Sequence, residues 1–333
     1  MPVPLISRFL GAALVLVGIV GLQSSYGDLV FAGGGFLQTI KAGSHLVPLF
    51  CCLVVGFGAK AAVMSLHGWL PRAMIAPTPV SALLHAVAVV KAGVFGILRV
   101  VYSIYGVQVL SELGIAGLLT VLAMATMVVA LFIALRQDVL KLRLAYSTVA
   151  QLSYIILGAS MLSSWGLSGA LMHLVNHALF KVILFFAAGI IISQSGVDRI
   201  SQMSGIARRF PLTMLCFGLA SLALVGVLPT NGFLGKWHLI TGSLEAGQFI
   251  PAAVLILSAL LSALYILPIS VVALFRPGER EKPPGLEAPA SMLVPVATLA
   301  GLGLLVGLFP GPLLRLAGWV TGAMLGQPVE FGF

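Results

Sequence analysis

The stretch LSGALMHLVNHALFKVILFFAAGIIIS, residues Leu167 to Ser193, is apolar along its length yet carries His173, His177 and Lys181. A run of this length crosses ~30 Å of hydrocarbon as a helix. The three titratable residues stand at i, i+4 and i+8, so they line one helix face, a turn apart. A lone histidine on an apolar helix is ordinarily a packed core residue. Two of them stacked beside a lysine are not accounted for by packing.

The rest of the chain has the same character. Of its 333 residues, 60% are hydrophobic and 8% charged, with a mean hydropathy of +1.13. A soluble domain cannot hide that much apolar surface. We read nine spans, at 5–22, 46–66, 81–104, 111–135, 144–163, 167–193, 211–240, 251–275 and 291–309. Arg8 followed by the apolar Phe9–Leu22 has the look of a secretory signal. No small-residue cleavage site follows it, so it is read as a retained first span.

Composition also excludes classes. The net charge of +9 is dispersed, and no basic block is interleaved with aromatics, so nucleic acid is not a partner. Cys51, Cys52 and Cys216 have neither metal nor haem spacing, so no cofactor or metal is expected. Any redox chemistry belongs to another subunit.

Two spans are expected to be broken. One runs into His67-Gly68-Trp69-Leu70-Pro71 and then Pro77-Thr78-Pro79; the other holds Leu228-Pro229-Thr230-Asn231-Gly232. Proline removes a donor and clashes with the preceding turn. Irregular backbone survives at membrane depth only against protein or a wet cavity. The broken regions lie five spans apart, and a five-helix unit repeated in sequence must be inverted in the membrane, an arrangement common in transporters. The fold class is all-α and polytopic, with about nine transmembrane helices, two of them discontinuous, in an inverted five-helix repeat. Residues 1–333 form one transmembrane domain, with 310–333 a short C-terminal tail.

Orientation follows from lysine and arginine. Arg8, Arg72, Arg136, Lys141, Arg143, Arg199, Arg208, Arg209, Arg276, Arg280 and Lys282 fall on one side; Lys41 and Arg315 fall on the other. The first side is therefore cytoplasmic, with the N-terminus inside and the C-terminus outside.

Four lysines lie within spans: Lys60, Lys91, Lys181 and Lys236. Each costs ~2.5–3.5 kcal/mol at a helix centre, roughly 10–14 kcal/mol for the set. Lys60 and Lys181 are too deep in their spans to snorkel. Capping of carbonyls is the bland explanation. The sharper one is chemical: an ammonium ion is costly in hydrocarbon, so a lysine there can hand on its proton at cellular pH, whereas an exposed one keeps it. His85, His173 and His177 would extend such a relay, and His67 and His238 lie beside the breaks. The nine acids all fall in loops, tails or span ends. The lysines thus have no deep carboxylate partner in this chain.

These residues carry a family resemblance. Gly58-Ala59-Lys60, His67-Gly68-Trp69-Leu70-Pro71, Ala76-Pro77-Thr78-Pro79 through His85, and Val90-Lys91-Ala92-Gly93 resemble the core signature of antiporter-like subunits. Such subunits occur in respiratory complex I, Mrp-type sodium/proton antiporters and membrane-bound hydrogenases. Leu144-Ala145-Tyr146-Ser147-Thr148, Asn176 to Lys181, and Gly232-Phe233-Leu234-Gly235-Lys236 agree, in the family's order. The resemblance implies an ion translocase subunit moving protons, or protons against sodium. Lys60 would be the lysine of the first broken helix, Lys91 and Lys181 central relay lysines, and Lys236 the terminal lysine near the exit. It also implies a split form without the family's first roughly five helices. Those helices, and a glutamate opposite Lys60, would come from a short partner chain. Other membrane subunits and lipids complete the expected partners, in the plasma membrane of a bacterium or archaeon. A non-conducting scaffold of the same kind of complex is the alternative.

Overall fold

A computed structural model describes residues 3–39, 43–276, 287–329 and 331. Among the described residues no β-strand forms. Six helical runs are long and apolar enough to cross a membrane. The chain begins with α1 (Val3–Tyr26) and α2 (Leu46–Lys60), packed against each other. A short α3 (Trp69–Arg72) leads to a run made of α4 (Thr78–Ala82), a π turn, α5 (Val89–Arg99), a second π turn and α6 (Gly106–Leu113). Then follow α7 (Ala116–Leu135), α8 (Leu140–Ser160) and α9 (Ser164–Ser195). The second discontinuous helix is α10 (Pro211–Val225) with α11 (Gly232–Glu245). The remaining helices are α12 (Phe249–Phe275), α13 (Ala290–Leu308) and α14 (Gly311–Leu325). The interval 310–333, expected as a tail, contains this last helix.

The helix α9 is the axis, packing against α4, α8, α10, α11, α13 and α14. Its start is capped by Ser163, whose side chain accepts from the Gly166 N–H at 3.1 Å. Its end is closed by Gly196 at φ +71°, a left-handed position that favours glycine. Outward faces stay apolar, as Leu16, Val20, Phe132 and Leu260 illustrate.

Both breaks exist, and the first is displaced from its expected place. The helix α2 ends at Lys60, and Ala62 and Ser65 take φ of +56° and +66°. Pro71 sits inside α3, and Pro77 and Pro79 start α4 as its N-cap and second residue. A proline in a first turn removes only an N–H that has no helical partner. These prolines therefore begin helices rather than interrupt one. The irregular backbone is held by protein: Trp69 Nε1 donates to the Ala59 carbonyl at 2.8 Å, and the Met64 N–H donates to Thr126 Oγ1 at 3.1 Å.

At the arginine-rich end, the loop before α8 and the loop after α9 are clasped. Asp138 accepts from the Ser201 N–H at 2.9 Å and hydroxyl at 2.8 Å. Those two bonds, first the backbone one, hold the Asp138 carboxyl below the usual carboxylate range, with smaller help from Arg199 and Arg143. A depressed folded-state value means the clasp contributes fully above an ordinary aspartate pKa of ~4 and fades as pH falls through the lower value. Asp138→Asn should lower the unfolding temperature of the purified protein by about 1–2 °C at pH 7, small because the pair is exposed. The difference from the parent should shrink at pH 3.

Candidate functional site

Three of the four lysines are brought into the interior: Lys181 is 0% exposed, Lys236 5% and Lys91 7%. Their amines donate to oxygen atoms that are not carboxylates. Lys91 Nζ reaches the Leu174 carbonyl at 2.7 Å. Lys181 Nζ reaches the Leu144 carbonyl at 2.9 Å and the Ser147 hydroxyl. Lys236 Nζ donates to the Leu224 and Val225 carbonyls at 2.7 and 2.9 Å. Those two belong to the last turn of α10, which the break leaves without helical donors. The same amine lies 4.9 Å from the centroid of the Tyr154 ring.

Lys60 is different. It is exposed on the outer face of the chain, as the last residue of α2. Depth along a continuous span suggests burial, but the helix stops at this residue, and its side chain is exposed on this chain. No hydrogen bond links Lys60 to the row.

The histidines fill the gaps between the buried lysines. His85, His173 and His177 are fully buried, and neither ring nitrogen of any of them has a hydrogen-bond partner of regular geometry. His173 stacks on Tyr154 at 5.0 Å and lies 6.2 Å from His177 between ring centroids. Electrostatically, His173 faces Lys236 and Lys91, while His177 faces Lys91, Lys181, His173 and His85. The contacts run Lys236, Tyr154, His173, His177, with Lys91, Lys181 and His85 near enough to His177 to be felt electrostatically. His85 sits in the π turn Leu83–Val87, where the extra residue re-aims the side chain inward.

The second break is tied to the row. Asn176 donates to the Asn231 carbonyl at 2.6 Å and accepts from the Asn231 side chain at 3.3 Å. Pro229 lies in the break itself, and Gly232 opens α11. His238 is buried against Trp165 at 4.8 Å with Nδ1 2.9 Å from the Leu234 carbonyl; half-buried His67 lies 6.2 Å from Tyr146. Among the described residues, no group of three His, Cys, Asp or Glu side chains could hold a metal. The described acids stay outside the row; Glu287, for example, caps α10 through the Leu212 and Thr213 N–H groups. Glu279, Glu281 and Glu330 lie outside the described residues.

Sequence reasoning missed Tyr154 as a bridge between His173 and Lys236. Its signal was available, since Ser147, Gln151 and Tyr154 recur at helical spacing in an apolar helix.

Residues 4–262 match the family described as NADH:quinone oxidoreductase/Mrp antiporter, TM. NADH-quinone oxidoreductase subunit N of Desulforudis audaxviator (strain MP104C) is 39% identical over 323 residues, covering 90% of this chain and 62% of that protein. A chain of the Mrp complex from Dietzia sp. DQ12-45-1b superposes with a TM-score of 0.87 at 24% identity, covering 97% of this chain and 67% of that one. A chain of the membrane-bound sulfane sulfur reductase, an archaeal respiratory membrane complex, does so with a TM-score of 0.85 at 26% identity. It is covered over 65% of its length, and this chain over 96%. The chain thus spans just under two thirds of the D. audaxviator relative. Matched over most of its length, this chain belongs to the NADH:quinone oxidoreductase/Mrp antiporter membrane family.

Proposed function

We propose that this protein is a proton-translocating, or proton/sodium-antiporting, subunit of a complex I-like or Mrp-like assembly in a bacterial or archaeal plasma membrane. One observation carries the reading: three lysines and three histidines are buried together, with six imidazole nitrogens on the three histidines lacking regular partners. Unsatisfied polar groups at membrane depth are expensive. They are tolerated where water completes their hydrogen bonds. The His173 and His177 ring centroids lie 6.2 Å apart with no direct hydrogen bond between the rings, and a water between them would complete both.

Protons move between neighbours in the order of the row, with Lys91 joined to Lys236 through His173 and to Lys181 through His177. Lys60 stands apart, and its exposed amine is available to a membrane carboxylate from elsewhere in the assembly. The arginine-rich end lies in the cytoplasm, and the driving step, redox or a counter-ion gradient, belongs to other subunits.

Lys181→Ala tests the row. In proteoliposomes bearing the assembled complex, ion transport should fall ~100-fold or more, in keeping with loss of a positioned proton carrier. Neighbouring subunits should still co-purify. Transport at the parent rate would leave the scaffold reading standing.

A further inference from the structure

The row does not use every buried polar group. On α8, Ser147, Gln151 and Tyr154 recur at i, i+4 and i+7; on α12, Ser258, Ser262 and Tyr265 do the same. Each set lies along one helix face, and all six side chains are buried. The two faces meet in antiparallel fashion. Tyr154 donates to Ser258 at 2.7 Å, and two turns away the Tyr265 hydroxyl faces Ser147, Gln151 and Ser262. Yet the hydroxyls of Tyr265 and Ser262 and both polar atoms of the Gln151 amide have no hydrogen bond of regular geometry.

A buried group of hydroxyls and an amide that face one another without regular hydrogen bonds is the kind of interface that water completes. If packing alone were required, leucine and alanine would serve without that cost. The position of the cluster is also informative. At one end Ser147 accepts from the Lys181 amine. At the same end, one turn before Ser147, Arg143 Nη1 donates to the Tyr265 carbonyl at 2.9 Å, at the start of α8 on the arginine-rich side. Arg143 directs its remaining bonds to the Gln137 and Leu135 carbonyls, so it staples the mouth without bonding the Tyr265 hydroxyl.

We propose that the α8–α12 interface is a second water-bearing branch, through which protons reach Lys181 from the arginine-rich end by way of the Tyr265 hydroxyl. The idea rests on the relay proposed above. Along the branch each hydroxyl accepts one proton and releases another, so no charge is left behind. The proton ends on the neutral Lys181 amine by way of Ser147.

The test uses the assembled complex in proteoliposomes. Tyr265→Phe removes one hydroxyl and keeps the ring, and should slow transport about tenfold, the loss expected from deleting one buried hydrogen-bonding partner. Ser262→Cys should react with methanethiosulfonate ethylammonium added from the arginine-rich side, above the background of the parent cysteines. Tyr265→Phe at the parent rate, or an unreactive Ser262→Cys, would overturn the branch. If Tyr265→Phe does not assemble, the thiol reaction alone decides. Lys181→Ala separates the two ideas: inactive Lys181→Ala beside unaffected Tyr265→Phe removes only the branch, whereas active Lys181→Ala removes the row as well.

Discussion

Lys236→Arg should assemble normally and transport nothing measurable, a loss of ~100-fold or more. The amine of Lys236 has two duties that alanine would abolish together. It satisfies the Leu224 and Val225 carbonyls at the end of α10, and in the proposed relay it holds and releases a proton. Leaving those carbonyls bare would cost ~1–3 kcal/mol each, so an inactive alanine variant could be merely unstable. Arginine keeps the charge and the donors but does not give up its proton in a protein. Transport and complex yield, measured on one preparation, therefore read the two duties separately. Should Lys236→Arg transport at the parent rate, the residue is a helix cap and the relay does not pass through it.

Gly232→Ala should prevent stable accumulation of the protein, with a cost of ~3 kcal/mol or more. A methyl group built on Gly232 would lie 1.7 Å from the Ala223 carbonyl oxygen. No side-chain rotation relieves that contact, because the obstacle is backbone; α10 and α11 must separate. The carbonyls that Lys236 caps lie in the same turn of α10, so the row would be displaced with them. Gly117→Ala is the control, because a methyl group there meets nothing within 4 Å. Yield and thermal unfolding of the two variants, side by side, give the answer. Equal stability would mean that the α10–α11 junction is looser than the structure describes.

Much of this was readable from residue order. His173, His177 and Lys181 share a face because the helical repeat requires it. Pro229 and Gly232 marked the second break, since neither suits a helix interior. The first break was harder. Its prolines start helices, and the turn is made instead by Ala62 and Ser65 at positive φ, which no propensity foretells. Lys60 is exposed on this chain, and depth in a span says nothing about which face the chain itself covers. The order of the row was also hidden, because Lys91 and Lys236 become neighbours of His173 only through packing. Tyr265 and Gln151 are ordinary residues in an apolar run, and only their pairing across α8 and α12 gives them meaning. The helix α14 lies within the interval expected as a tail.

The acid-free character of the row has a consequence for traffic. Two positive charges 6.2 Å apart, as on His173 and His177, repel by about 3 kcal/mol at an effective dielectric of ~20. Double occupancy of adjacent stations is therefore disfavoured by roughly two orders of magnitude. In the proposed relay a newly arriving hydrogen ion therefore evicts the one ahead of it, and the file would empty in single steps, like beads pushed through a tube.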